Sequence, residues 1–451
     1  MYTDFLTDIF KNNIDTTAVI WNDKPISYGS LLERVHHYTN YLKNEKIGGG
    51  DIIALIGDFS PNSIALLIAL IENSSVVVPF TKNIFKEEHS KFEIAQVEKI
   101  LSLDSNDNIS YEQTGVVASH EYYSYLKRKN LPGLVLFSSG TSGEPKAAVH
   151  DFTKLLQKFK KNKKTYKTAN FLLFDHWGGL NTMFHTISNV GVVLTVSDRS
   201  PDSVCELIEK HKIELLPASP TFLNLIIISE AYKKYDLSCL KLITYGTEPM
   251  PEVTLKKIKE IFPWVTLQQT YGLIELGVLS SKSKSDDSLW VKLGGEGFQT
   301  RVIDDILQIK SDSTILGYLN APAPITEDGW FITGDRVEVD GDFFKILGRK
   351  SEIINVGGEK VFPAEVENVI QQFENVYEVT VYGKKNPLTG NIVCADITPA
   401  AKIDSKDFAK KIKDFCRQRL QSYKVPVKVN ILNEIQHNER YKKIRYKAEN
   451  K

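Results

Sequence analysis

A short apolar run, Leu134–Phe137, opens directly into Ser138-Ser139-Gly140-Thr141-Ser142-Gly143-Glu144-Pro145-Lys146. The run reads as a buried strand, too short and too apolar for a surface element. The loop behind it combines glycines, hydroxyls and a terminal lysine. Glycine lets the backbone approach an anion closely, and loop amides and hydroxyls donate to phosphate oxygens. Lys146 adds a mobile positive charge for the same group. A solvated Ser/Gly linker shares this composition, but it has no reason to start behind a buried strand and end in Pro-Lys. The GxxxxGK[ST] spacing of the common nucleotide loop is absent. The stretch therefore predicts a phosphate cradle of another kind, fed by a sheet.

The flanking pattern supplies that sheet. Ser30–Leu42 places Leu31, Val35, Tyr38 and Leu42 on one helical face. Ile52–Ile56 reads as a buried strand, Pro61–Ile71 as a helix and Val76–Pro79 as a further strand. The alternation continues with strands at Phe171–Phe174, Glu214–Pro217 and Leu240–Tyr245 and a helix at Pro201–His211. The basic run Lys154–Lys167 carries Leu155, Leu156 and Phe159 at helical spacing, which predicts a helix with a solvated face. This order predicts an α/β fold with helices packed on largely parallel sheets. Near Leu289–Leu347 short strands and turns take over, at Thr300–Ile309, Trp330–Ile332 and Arg336–Val339, and predict a smaller β-rich subdomain. Beyond Gly348-Arg349-Lys350, a helix starting at Pro363, strands at Tyr377–Tyr382 and Asn391–Ile397, a helix at Phe408–Leu420 and a strand at Val427–Leu432 predict a compact α+β unit. The expected division is 1–347, a hinge at 348–350, and a small mobile domain at 351–451.

Composition excludes several classes. Among 451 residues, 56 Lys+Arg balance 56 Asp+Glu, so no global field favours nucleic acid or an anionic membrane. Cys205, Cys239, Cys394 and Cys416 lack CxxC spacing, against both a zinc site and a disulfide framework. Ser63–Phe80, the longest apolar stretch, is broken by Glu72 and Asn73 and is short for a membrane span. The acidic, interrupted start MYTDFLTDIFKNN is unlike a signal peptide. A cytoplasmic protein with no membrane and no nucleic-acid partner is expected.

Four further polar, glycine-rich segments lie at the ends of predicted strands, where open α/β sheets place ligands. They are Tyr245-Gly246-Thr247-Glu248-Pro249, Thr270-Tyr271-Gly272-Leu273-Ile274-Glu275, Thr333-Gly334-Asp335, and Gly348-Arg349-Lys350 with Asn355-Val356-Gly357-Gly358-Glu359-Lys360. Each alone is weak: glycine pairs serve tight turns, Asp beside Gly is an ordinary turn residue, and a lone Arg is an ordinary surface partner. In this order, behind SSGTSGEPK, they resemble the adenylate-forming superfamily of acyl-CoA synthetases, peptide-synthetase adenylation domains and luciferases. The resemblance runs from about Tyr28 to Arg445 and is strongest to the acyl-CoA ligases.

It implies roles residue by residue. Ser138, Ser139, Gly140, Thr141, Ser142, Gly143 and Lys146 would cradle the β- and γ-phosphates of ATP. Gly246, Thr247 and Glu248 would lie against the adenine, with Tyr271 stacking on it beside Gly272. Glu275, with Thr141, would hold Mg²⁺, as suits a hard carboxylate near phosphates. Asp335 would accept from the ribose hydroxyls, and Arg349 would reach the same sugar. The superfamily's Gly-Lys-x-x-Arg ending is matched by Tyr441-Lys442-Lys443-Ile444-Arg445. It makes Lys442 the cation that offsets repulsion between the carboxylate and the α-phosphate, with Lys443 as the fallback and a solvated basic tail as the bland alternative. Phe174-Asp175-His176-Trp177-Gly178-Gly179 resembles the His-x-Gly-Gly segment of CoA ligases. His176 would then line the path to the acid, with Trp177, Leu180 and Met183 as one wall; a satisfied core histidine is an equal reading.

Two departures stand out. Ile274 replaces the hydroxyl residue that precedes the Glu, and Tyr441 stands where glycine is expected. Ala147 in place of the glycine after the loop lysine is milder. The chain is also short for the superfamily, and the shortage lies before Leu134, leaving monomer and homodimer both open. The implied activity is ATP-dependent conversion of a small or aromatic carboxylic acid to an acyl-AMP, then transfer to a thiol, most simply CoA. Gly357-Gly358 would line the pantetheine channel after the small domain rotates. The alternatives are loading of a carrier-protein phosphopantetheine, amide formation, or a catalytically silent nucleotide-binding scaffold. Retention of Lys146, Glu275, Asp335, Arg349 and Lys442 argues against the silent scaffold, since charged site residues would be lost first.

Overall fold

The computed structural model describes residues 1–82, 89–138, 145–401, 403–433, 436, 437, 441 and 443. Two seven-stranded sheets build the large unit. One runs, in spatial order, Ile109–Gln113, Lys99–Leu103, Ile52–Gly57, Val76–Thr81, Gly133–Ser138, Lys146–Asp151 and Gly317–Tyr318. Its four central strands are parallel and its edges antiparallel. The other runs Thr266–Gln269, Leu242–Tyr245, Leu215–Ala218, Lys167–Asn170, Val192–Thr195, Thr17–Trp21 and Lys24–Ser27, parallel except for its last pair.

Helices Tyr28–Asn44, Pro61–Glu72 and Trp177–Ile187 lie between the two sheets, in one apolar cluster with strand residues of both. Pro61–Glu72 is buried on nearly every side, which is why its sequence reads as a continuous apolar run rather than a stripe. Ser60 starts it, its Oγ accepting from Ser63 N at 3.2 Å, with Pro61 in the first turn. Each fully buried Leu or Ile there contributes roughly 1.5–3 kcal/mol. Among the described residues no helix is long and apolar enough to cross a membrane.

A six-stranded antiparallel sheet follows, ordered Ser280–Ser283, Trp290–Gly294, Phe343–Arg349, Phe331–Asp340, Ile306–Ser311 and Phe298–Ile303. The last unit wraps helices Pro363–Ile370 and Ser405–Arg417 on a five-stranded sheet centred on Gly390–Pro399. This mixed α/β architecture, with a β-rich sheet and a small α+β end unit, is the one the sequence predicts.

Several elements differ from expectation. Phe171–Phe174 is not a strand; the strand is Lys167–Asn170, and the chain turns at once, Phe171 N donating back to Ala169 O at 3.0 Å. Apolar continuity hid that turn, because Phe171 is buried without being extended. The helix expected over Lys154–Lys167 is the short Phe152–Leu156, followed by a 3-10 turn at Gln157–Lys160. Apolar residues stop at Phe159, and the lysines beyond have no face to bury. Trp330–Ile332 and Arg336–Val339 fall almost wholly within one strand, Phe331–Asp340.

Gly179 shows how tightly the middle layer is built. A Cβ there would sit 2.2 Å from Leu173 O and 2.7 Å from Leu172 O, whereas one on Gly178 would meet the tip of Leu172 and the ring of His176. Backbone oxygens cannot swing away as side-chain tips can. Gly179→Ala is expected to lower stability by about 1–3 kcal/mol, and Gly178→Ala by clearly less. Denaturant midpoints at constant m-value would check this, and equal midpoints for the two variants would contradict it.

Candidate active site

Strands Gly133–Ser138 and Lys146–Asp151 form an antiparallel pair with Ser138 opposite Lys146, so strand and cradle lysine are in register. Ser139, Gly140, Thr141, Ser142 and Gly143 lie outside the described residues. Asn320 grips the chain on both sides of Lys146: its Oδ1 accepts from Ala147 N at 3.1 Å and its Nδ2 donates to Pro145 O at 2.9 Å. Two residues earlier, Tyr318 donates its hydroxyl to Glu275 Oε1 at 2.6 Å. The Lys146 ammonium lies 5.6 Å from the centre of the Tyr318 ring. Burial first, and then the adjoining Glu275, push the Tyr318 hydroxyl far above its ordinary value, so it stays a donor. The Tyr318 strand also requires Gly317, since a Cβ there would come 2.2 Å from the Tyr122 hydroxyl. Sequence reasoning missed Tyr318 and Asn320; the only local signal is the Gly317-Tyr318-Leu319-Asn320 run.

A second set forms around Asp335. Tyr271 donates its hydroxyl to Asp335 Oδ2 at 2.5 Å, and Arg349 Nε lies 3.5 Å from Oδ1. Asp335 and Arg349 are directly paired across adjacent strands, which fixes that contact. Thr333 Oγ1 accepts from Asp335 N at 3.0 Å and donates to Leu307 O at 2.7 Å, bracing the Thr333-Gly334-Asp335 part of strand Phe331–Asp340. Burial pushes the Asp335 carboxyl up, opposed by Arg349 and by the Tyr271 hydroxyl, with Glu275 adding to the upward push. Glu275 also acts on Arg349. The two sets therefore share one electrostatic neighbourhood.

The remaining predicted residues fall around these. Gly246 touches the next loop, a Cβ there standing 2.6 Å from Thr270 O, and Thr247 is held at φ 73° in the left-handed region. Glu248 Oε1 accepts from Thr221 N at 2.8 Å, at the start of helix Pro220–Ser229. Gly272 packs on the Gly277–Val278 strand, where a Cβ would come 2.8 Å from Gly277 O. His176 caps helix Trp177–Ile187, its Nδ1 accepting from Gly178 N at 3.0 Å. A ring nitrogen that accepts there puts the proton of the neutral ring on Nε2. Gly357 and Gly358 have φ of 59° and 93°, with open space where side chains would be. They form the two-residue turn between Ile354–Val356 and Glu359–Val361, which by itself demands glycine.

Ile274 packs its side chain against two apolar clusters, and its carbonyl accepts from His150 Nε2 at 2.7 Å. Burial pushes His150 down to about 4, keeping it neutral. Lys442 lies outside the described residues, but both neighbours are placed. Lys443 Nζ pairs with the buried Glu367 at 3.0 Å, which commits this lysine to the small unit. Among the described residues no three His, Cys, Asp or Glu side chains converge on a metal position. One carboxylate near Lys146, the lysine expected to meet phosphate, fits Mg²⁺, which takes few protein ligands and leaves the rest to phosphates and water. Asn170, fully buried with neither side-chain amide atom partnered, lies at the carboxyl end of its strand; nothing in the sequence singled it out.

Asp335→Asn keeps the shape and an acceptor for Tyr271 while removing the buried charge. With its carboxyl raised, folded Asp335 holds its proton to higher pH than the unfolded chain does. It therefore favours the folded state in acid, and that contribution fades as pH rises through its raised value. The variant should gain melting temperature relative to the parent near pH 8 compared with near pH 4. Its ATP affinity should fall roughly tenfold or more. Melts at both pH values, with and without ATP, would check this; a difference independent of pH would contradict it.

Comparison with known proteins gives the family and its relatives. The sequence matches the AMP-binding enzyme family over residues 7–304 and the AMP-binding enzyme C-terminal domain over residues 365–442. It is 25% identical to the indoleacetate–CoA ligase of Aromatoleum aromaticum, over 93% of this chain and 92% of that protein. It is 24% identical to the 2-succinylbenzoate–CoA ligase of Listeria innocua, over 93% of each. The fold is similar to that of the anthranilate CoA ligase AuaEII in complex with anthranoyl-AMP. The TM-score is 0.83 at 17% identity, over 98% of this chain and 95% of that one.

Proposed function

The chain belongs to the AMP-binding enzymes, and from that premise we propose that it activates a small or aromatic carboxylic acid with ATP and passes the acyl group to CoA. The observation that carries the reading is the shared neighbourhood of Lys146, Tyr318 and Glu275 with Tyr271, Asp335 and Arg349. On this reading the first three residues serve phosphates and magnesium and the last three the nucleoside. The aromatic preference is supported by the relatives' acids, indoleacetate and 2-succinylbenzoate, and by the anthranoyl-AMP of the structural neighbour.

In the first step a carboxylate oxygen of the acid attacks the α-phosphorus of ATP, and the bond to pyrophosphate breaks, giving acyl-AMP. Ser138, the loop 139–143 and Lys146 hold the β- and γ-phosphates, with the Lys146 ammonium beside the Tyr318 ring. Glu275 and Thr141 would hold magnesium, which would supply charge neutralisation on the phosphates. Asp335 and Arg349 hold the ribose, Gly246, Thr247, Glu248 and Tyr271 the base, and Lys442 offsets the repulsion of two anions as they meet. His176 lines the path of the acid. In the second step the thiol loses its proton, its sulfur attacks the acyl carbon, and AMP leaves. Positioning and charge stabilisation are the protein's main contributions to both.

The direct test is acid-dependent ATP–pyrophosphate exchange across aromatic, short-chain, fatty and amino acids, followed by addition of CoA. Exchange with an aromatic acid and a CoA-dependent thioester is expected. Exchange without a CoA product would move the acceptor to a carrier-protein phosphopantetheine or an amine. Failure of every acid, with ATP unbound, would sink the enzyme reading.

One cavity serving both steps requires the small domain, 351–451, to rotate against 1–347 about Lys350. Lys350 opens the 3-10 turn Lys350–Glu352, and Arg349 before it is extended at φ −83°, ψ 140°. Both conformations suit proline and its predecessor, so Lys350→Pro fits this arrangement while stiffening the hinge. The variant should retain exchange and lose thioester formation. Equal loss of both activities would count against Lys350 as the hinge.

A further inference from the structure

Tyr441 stands where the family pattern has glycine, and its backbone keeps glycine's habit: φ is 51°, in the left-handed region a tyrosine rarely occupies. Its side chain does not join the small unit's core. The ring packs against Phe171 and Phe222 of the large unit, with centroids 5.5 and 5.2 Å away. The hydroxyl donates to Arg199 O at 2.6 Å, and the Tyr441 carbonyl accepts from Ser219 Oγ at 2.9 Å. The receiving surface is itself fixed. Ser219 caps helix Pro220–Ser229, accepting from Phe222 N at 3.1 Å, and Arg199 Nε donates to Phe171 O at 2.8 Å. His437 stacks on Tyr441 at 4.8 Å and 19° and hydrogen-bonds Glu378 of the small unit. One side chain is thus held by both units.

We propose that Tyr441 is a positioning residue, an aromatic latch that docks the C-terminal end of the small unit on the large unit for acyl-adenylate formation and must let go before thiol transfer. This rests on the two-step reading above. Among the described residues, few other polar contacts cross between the units. Asn224 Nδ2 reaches Tyr377 O at 3.3 Å and Glu252 N reaches Asn368 Oδ1 at 3.0 Å. These lie on strand Val376–Asn386 and helix Pro363–Ile370 of the small unit, whereas Tyr441 sits beside Lys442 in sequence and holds that part of the chain on the large unit. An unfavourable backbone angle retained beside a fitted ring and two hydrogen bonds places the selective advantage on docking. Glycine would relax the backbone and give up the contact.

The test compares the full-length parent with Tyr441→Gly and Tyr441→Phe. Hydrogen exchange should rise in Tyr441→Gly at segments 171–176 and 219–225, which the ring covers, with the rest of the large unit unchanged. Acid-dependent pyrophosphate exchange should fall roughly tenfold. Thioester formation from preformed acyl-adenylate should hold or rise. Tyr441→Phe, which keeps the ring and loses only the bond to Arg199, should recover most of both protection and exchange. Unchanged protection in Tyr441→Gly, or equal loss in the two half-reactions, overturns the latch. If no acid supports exchange in the parent, the proposed activity fails on its own, and the protection difference still decides whether Tyr441 docks the units.

Discussion

The hydrogen bond from Tyr318 to Glu275 sets the geometry on which the rest of the site depends. Tyr318 belongs to a two-residue strand paired to the edge of the first sheet, opposite Ala148. Asn320 clamps the same neighbouring strand from two residues further on. Four consecutive residues, Gly317–Asn320, therefore register Lys146, which on the proposed reading meets phosphate, against Glu275, which on the same reading meets magnesium. A charge-assisted hydrogen bond of this kind contributes about 1.5–3 kcal/mol. Its larger effect is geometric: Lys146 and Glu275 cannot drift apart without breaking a strand pairing.

The same economy governs the other charges of the site. Asp335 is buried at a cost reflected in its raised carboxyl, and Arg349 and Tyr271 offset part of that cost. Arg349 remains 44% exposed, so the pair is buried on the carboxylate side only. A ribose diol would meet a carboxylate already stripped of water and aimed by two partners. Behind it, His150 is kept neutral and used purely as a donor to the Ile274 carbonyl. Charge is admitted where a ligand would meet it and excluded from the layer behind.

How much of this the sequence discloses depends on the range of the contact. Helices at Pro61, Pro201 and Pro363 are legible because Pro fixes their first turn, with Ser60 and Ser200 capping the first two. The Leu134–Phe137 strand is legible from four consecutive apolar residues before a polar loop. The Phe171–Phe174 segment misleads because aromatic burial imitates a strand. Tyr318 reaches a partner 43 residues away and Asn320 one 175 residues away, and no local periodicity carries such information. Ordered motifs place Asp335, Arg349 and Glu275 near one another only through resemblance to a family; for Asp335 and Arg349 the pairing across adjacent strands supplies the physical reason.

The two departures from the family pattern act on opposite terms of the same rate. Ile274 gives its side chain to two apolar clusters, so no hydroxyl at this position reaches the α-phosphate. On the proposed reading that omission weakens the contacts made once ATP and acid are in place. Tyr441 adds contacts between the units and, on the proposed reading, raises the fraction of molecules poised for the first step. A rate proportional to that fraction recovers by docking what it loses in a phosphate contact, since each 1.4 kcal/mol of either is tenfold. The compensation has a consequence for turnover: a C-terminal end held more firmly for adenylation leaves more slowly, which moves the slow step of the cycle from chemistry towards domain rotation.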